Sequence, residues 1–124
     1  MSIAALNYIE DIMKSIGIPY QFGEWTDEVP DRYYVGEYQE IPSPTKEEDG
    51  GQETSFILNG WTRKSCMILE QDKETIEHSL PKSRMNQNCS CVAVFYDSAF
   101  PVPTGDGELK RIQINLSIKE WKVI

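Results

Sequence analysis

Three cysteines and a single histidine are the residues with the most chemistry to offer, and their spacing decides what they can do. Cys89 and Cys91 stand in a C-x-C arrangement, too tight for an unstrained disulfide between neighbours on one strand, and Cys66 leaves the cysteine count odd. Reduced thiols fit this set. A zinc centre normally takes four ligands, and His78 falls in a different segment from the C-x-C pair, so no metal is expected. Cys89 and Cys91 point to one side of a strand and read as small core residues; no C-x-x-C redox pair is present. Cys66 precedes a helix, where a thiolate is stabilised, but no His or Asp stands at a spacing that would support a nucleophile. His78 falls near the end of a helix, where a cation is favourably placed.

The twenty acidic residues concentrate in Glu47-Glu48-Asp49 and on helix surfaces, as solvated charges rather than an acid/base pair. Gly50-Gly51 lacks the Lys and Ser/Thr of a phosphate loop, and Thr104-Gly105-Asp106-Gly107 lacks the spaced acids of a calcium loop. No cofactor and no catalytic activity are expected.

A chain of 124 residues, 40% hydrophobic and 26% charged, fits one globular domain over residues 1–124. Twelve Lys and Arg against twenty Asp and Glu give a net charge of −8, which repels both a phosphate backbone and an anionic membrane surface. No apolar run approaches the roughly 20 residues needed to cross a bilayer. Ser2 to Ile16 carries acids and lacks the order of a signal peptide, so a cytosolic product is expected.

The elements that would position these residues follow from periodicity. Ile3, Leu6, Ile9, Ile12 with Met13, and Ile16 form one helical stripe, with Ser2 as N-cap, Gly17 as stop and Pro19 beyond it. Tyr20 to Trp25 reads as a short strand. Tyr33 to Ile41 and Glu53 to Arg63 read as a hairpin joined by the solvated segment Pro42 to Gly51, which holds Glu47, Glu48 and Asp49. A second helix aligns Ile68, Asp72, Ile76 and Leu80, with Leu69 beside them, and ends near Pro81. Lys82 to Asn88 reads as irregular, Cys89 to Tyr96 as a strand and Ala99 to Gly107 as a loop. Last comes the clearest strand: Ile112, Ile114, Leu116 and Ile118 on one face, Arg111, Gln113, Asn115, Ser117 and Lys119 on the other.

The expected fold is α+β, a mostly antiparallel sheet of about five strands with two helices on one face, in the order α-β-β-β-α-β-β. Phe56 and Leu58 oppose Ile57 and Trp61, and Cys91, Ala93 and Phe95 oppose Val92, Val94 and Tyr96, so the inner strands read as apolar on both faces. A second subunit is the simplest cover for the second face. Trp25, Trp61 and Trp121 with six tyrosines supply aromatic contact area.

The stretches Ile18-Pro-Tyr-Gln-Phe-Gly-Glu-Trp25, Tyr34-Val-Gly-Glu-Tyr38, Gln52-Glu-Thr-Ser-Phe-Ile-Leu-Asn-Gly60 and Pro101-Val-Pro-Thr-Gly-Asp-Gly-Glu-Leu-Lys-Arg-Ile112 resemble short tail-module proteins of phages and prophages of Gram-positive bacteria. Over almost the whole chain the sequence is similar to the tail terminator (tail completion) family of long-tailed phages. That resemblance implies a structural virion protein without catalytic residues. It implies a homo-oligomeric ring, typically hexameric, that ends growth of the tail tube at its head-proximal end and docks onto the head connector. Tail tube protein and connector protein would be its partners, and DNA would pass without sequence-specific binding. Assembly would take place in the host cytoplasm, and the product would reside in the virion tail or neck. The contact residues expected are Trp25, Tyr38, Phe56, Ile57 and Trp61, with Glu47, Glu48 and Asp49.

Two other readings fit the same residues. One is a head–tail connector or stopper subunit; the other is a monomeric acidic binding module of the inhibitor or immunity kind, whose charge of −8 would steer a basic partner.

Overall fold

A computed structural model of the chain describes residues 1–40, 52–86 and 90–122. Helix α1 spans Ile3–Ser15, and the Ser2 hydroxyl caps it by accepting from the Ala5 N–H at 3.1 Å. Gly17 takes a positive φ of 75°, the left-handed stop expected from its type. The buried side differs from the isoleucine stripe: Ala5, Tyr8, Ile9, Ile12 and Met13 face inward, while Ile3 is 77% exposed. Tyr8 buries its ring beneath the Arg84 guanidinium, 4.4 Å from the ring centre.

Six strands follow, β1 (Tyr20–Phe22), β2 (Arg32–Glu40), β3 (Gln52–Thr62), β4 (Lys82–Met85), β5 (Ser90–Val102) and β6 (Lys110–Lys122), with helix α2 (Cys66–Ser79) between β3 and β4. They form one sheet in the order β1-β2-β3-β6-β5-β4. Among the described residues only the β1–β2 pair is parallel; the others are antiparallel. The fold is α+β as expected, and β2 and β3 form the expected antiparallel pair.

The sheet has one strand more than the reading of the sequence, in the order α-β-β-β-α-β-β-β. Lys82-Ser-Arg-Met85 pairs with Cys91 to Val94, and as an edge strand it has no fully buried face that would require an apolar pattern. Strand β5 also runs on through Ala99 to Val102, where a loop was expected. A bulge between Tyr96 and Ser98 absorbs one residue, and Pro101 falls beyond the last β4 partner, on the free edge of β5.

One hydrophobic cluster joins the helices to one side of the sheet. Phe56 and Leu58 of β3, Val92 and Val94 of β5, and Ile112, Ile114, Leu116 and Ile118 of β6 meet Ile9 and Ile12 of α1 and Leu69 and Ile76 of α2. The alternation of β6 is therefore the alternation of the core. Ser65 caps α2 by accepting from the Met67 N–H at 3.2 Å.

The one charged group α2 sends inward is Asp72. Its Oδ2 accepts from Arg32 Nε at 2.9 Å and from the Tyr34 hydroxyl at 3.2 Å, which ties α2 to β2. Burial raises the Asp72 carboxyl above its ordinary value, against the pull of Arg32. Burial and the facing carboxylate also raise the Tyr34 phenol, which stays protonated as a donor. An acid whose folded pKa is raised binds its proton more tightly in the folded than in the unfolded chain. Stability is therefore lost as pH rises from the ordinary aspartate value through the raised one. Wild type is expected to lose stability relative to Asp72→Asn across that window. Denaturation of both proteins at a series of acidic pH values checks it, and a difference independent of pH would show that Asp72 titrates normally.

Candidate interaction surface

The side of the sheet away from the helices carries the residues of interest. In register across four strands, Tyr33 of β2 pairs with Trp61 of β3, Trp61 with Arg111 of β6, and Arg111 with Val102 of β5. Strand alternation points these side chains to the same face. The Tyr33 and Trp61 rings stack with centroids 5.4 Å apart, Trp25 closes on Tyr33 at 5.4 Å, and the Arg111 guanidinium stands 5.5 Å from the Trp61 ring centre. Because the rings face one another, they form a standing ridge rather than a flat platform. The ridge is half-buried, and the indole N–H of Trp25 donates to the Glu28 carbonyl at 3.2 Å.

As the two-sided reading of β3 and β5 expected, Ile57 of β3 and Cys91, Ala93 and Phe95 of β5 share this face with the ridge, while the outward residues of β6 between them are polar. Arg111 Nη2 donates to Asn59 Oδ1 at 2.7 Å, and Asn59 Nδ2 donates to Glu37 Oε1 at 3.2 Å. Gln113 donates to Asn115 and Asn115 to Ser98, both at 3.0 Å, and Ser117 donates to Glu53 at 3.0 Å. Side chains that satisfy one another can remain in water, so this part of the face needs no cover. Met85, Phe95 and Phe100 are exposed apolar residues of this face, and the ridge is half-buried beside them.

The expected contact residues separate on this geometry. Trp25 and Trp61 belong to the ridge, and Ile57 lies half-buried on the same face between Glu37 and Asn115. Tyr38 lies on the helix side, 40% exposed and stacked on Phe22 at 6.0 Å. Phe56 is corrected: it is fully buried in the core, because β3 alternation places it with Thr54 and Leu58 under the helices. Glu47, Glu48 and Asp49 lie outside the described residues. Tyr33 and Arg111 were missed. Their apolar or planar groups were visible in the sequence, but only the β2–β3–β6 register shows that they flank Trp61.

The groups with chemical potential are dispersed. Cys66 is the exposed first residue of α2 and His78 lies near its other end, so no base stands beside the thiol. Cys91 is buried, as expected, but on the face away from the helices, in register with Met85 and Trp121, and Cys89 lies outside the described residues. Among the described residues no group of three potential metal ligands comes together. A surface groove of about 460 Å³ runs between the start of α2 and the β5–β6 connection, with walls of Leu69, Pro101, Pro103 and Leu109. The acid of that connection serves the turn itself: Asp106 accepts from the Glu108 N–H at 2.9 Å, which holds its carboxyl below the usual range. No described helix is long and apolar enough to cross a membrane.

Comparison of the sequence with protein-family models and with curated proteins finds no match to either.

Proposed function

We propose that this protein is a structural subunit of a phage tail, acting in a terminator ring at the head-proximal end of the tail tube. The observation that carries the reading is the ridge Trp25–Tyr33–Trp61–Arg111, the aromatic and arginine chemistry on which protein contacts concentrate, half-exposed on the face opposite both helices. Three further features support it: the resemblance of four stretches to the terminator family, the order of helices and strands, and a net charge of −8. Negative charge suits a ring through which DNA passes without sticking. In this reading the ridge meets the tail tube or the connector, and the polar outward residues of β6 stay solvated.

The test is Trp61→Glu in a tail-assembly assay, with the mass of the protein measured by light scattering with and without purified tail tubes. Loss of a central tryptophan contact costs about 2 kcal/mol or more, roughly a thirtyfold weaker association. Wild type is expected to bind tube ends and fix tail length, and the folded variant is expected to leave tails of uncontrolled length. Wild type that ignores tube ends, or a folded variant that caps them normally, overturns the proposal.

A further inference from the structure

The two edges of the sheet differ in a way that selects a partner. Strand β1 pairs only with Tyr34, Val35 and Gly36 of β2; the Gly23 N–H makes the last rung to the Gly36 carbonyl at 2.9 Å, and Gly23, with φ of 85°, turns the chain away. Pro19 O accepts from the Tyr34 N–H, so Tyr34 and Gly36 direct their backbone groups toward β1. By alternation Tyr38 and Glu40 direct theirs outward, beyond the end of β1. At the other edge Asn86 donates to the Ser90 carbonyl at 2.7 Å, so Arg84 and Lys82 turn toward β5 while Ser83 and Met85 turn outward. The remaining free edge, the later half of β5, is blunted by its bulge and by Pro101; neither device occurs in β4 or in Glu37 to Glu40.

Charge separates these two edges, which no other described strand pairs. Strand β4 carries Lys82 and Arg84, and the free end of β2 carries Glu37 and Glu40. Within the subunit Arg84 meets Asp11 at 2.7 Å, Glu40 takes the amino group of Met1, and Glu37 accepts from Asn59.

Strand direction fixes how these edges can meet. Counting across the sheet, β4 runs the same way as β2, and rotation about an axis along the strands keeps that direction. We propose that β4 of one copy adds in parallel to Tyr38–Glu40 of the next, continuing the lane of β1, so that ring subunits share one sheet; this rests on the ring reading above. A parallel strand bonds to the residues on either side of its neighbour. Ser83 beside Gln39 donates its N–H to the Tyr38 carbonyl and accepts at its own carbonyl from the Glu40 N–H. In this register the faces stay continuous: Ser83 and Gln39 lie on the open face, while Lys82 stands beside Tyr38 and Arg84 beside Glu40 on the helix side. The contact uses two different edges, as a closed head-to-tail ring requires.

Proline at an outward position removes one intersubunit donor while leaving the subunit's own ladder intact. Ser83→Pro blocks the β4 edge and Glu40→Pro the β2 edge, each weakening association about tenfold for the lost bond and further by the ring's steric bulk. Sedimentation velocity over a concentration series, with circular dichroism to establish the fold, is the measurement. Wild type is expected to self-associate and each variant to stay monomeric, while an equimolar mixture of the two forms a dimer and nothing larger, because each supplies the edge the other lacks. A mixture that stays monomeric, a folded variant that associates like wild type, or wild type that stays monomeric at every attainable concentration overturns the proposal. If the edge behaves as expected but wild type does not act on tail tubes, the terminator reading fails and the edge contact stands; if both variants still cap tubes as wild type does, the edge contact fails alone.

Discussion

Ile114→Asp is expected to leave the chain largely unfolded at room temperature. Ile114 is fully buried at the middle of β6, in register with Leu58 on one side and Ala99 on the other, with the helices above. A carboxyl there has no polar partner, and whether it stays charged or takes up a proton the cost is about 5 kcal/mol. That is comparable to the whole stability of a domain of this size, roughly 5–15 kcal/mol. The neighbouring Gln113→Asp is expected to change stability by about half a kcal/mol. Gln113 lies half-buried on the open face, and its replacement removes one hydrogen bond, to Asn115. Urea denaturation of both variants is the measurement; reversed losses would place the strand one residue out of register, and equal losses would show that the two positions do not alternate between core and solvent.

Gly60→Ala should be nearly as damaging although it adds a single methyl group. A Cβ at Gly60 would stand 2.3 Å from Cε2 and 2.6 Å from Cζ of Tyr34, the residue directly opposite in the β2–β3 register. The ring cannot withdraw cheaply, because it is fully buried and its hydroxyl is bonded to Asp72. Overpacking of this kind costs about 3 kcal/mol. Gly107, with nothing within 4 Å of its added Cβ and no positive φ, is the control, and Gly107→Ala should be within about half a kcal/mol of wild type. If the Tyr34 ring is the cause, the loss from Gly60→Ala should shrink to under about 1 kcal/mol in a Tyr34→Leu background, a coupling that chemical denaturation of the four proteins measures. Additive losses would show that the glycine is required for some other reason.

Several elements were determined by the sequence alone because their signals are local. Ser2 caps the helix whose first turn follows it directly, Gly17 supplies the positive φ, and the strict alternation from Arg111 to Lys119 is compatible only with a strand buried on one side. Strand β4 was not visible in this way, because an edge strand half in water has no apolar period to display. The continuation of β5 past Tyr96 was hidden by Pro101, a residue that ends central strands but is tolerated on a free edge.

The contact surface depended on the tertiary structure for a different reason. Alternation states that Phe56 and Leu58 share one face and Ile57 and Trp61 the other, but both sets are apolar, so the pattern does not say which face the helices cover. Packing of α1 and α2 onto the side of Ile112 to Ile118 decided it, and Phe56 went to the core while Trp61 went to the open face. The same packing left the polar face of β6 outward, where it dilutes the apolar surface expected from β3 and β5. Tyr33, Trp61 and Arg111 become neighbours only through cross-strand register, a relation between residues far apart in the chain that no local periodicity encodes.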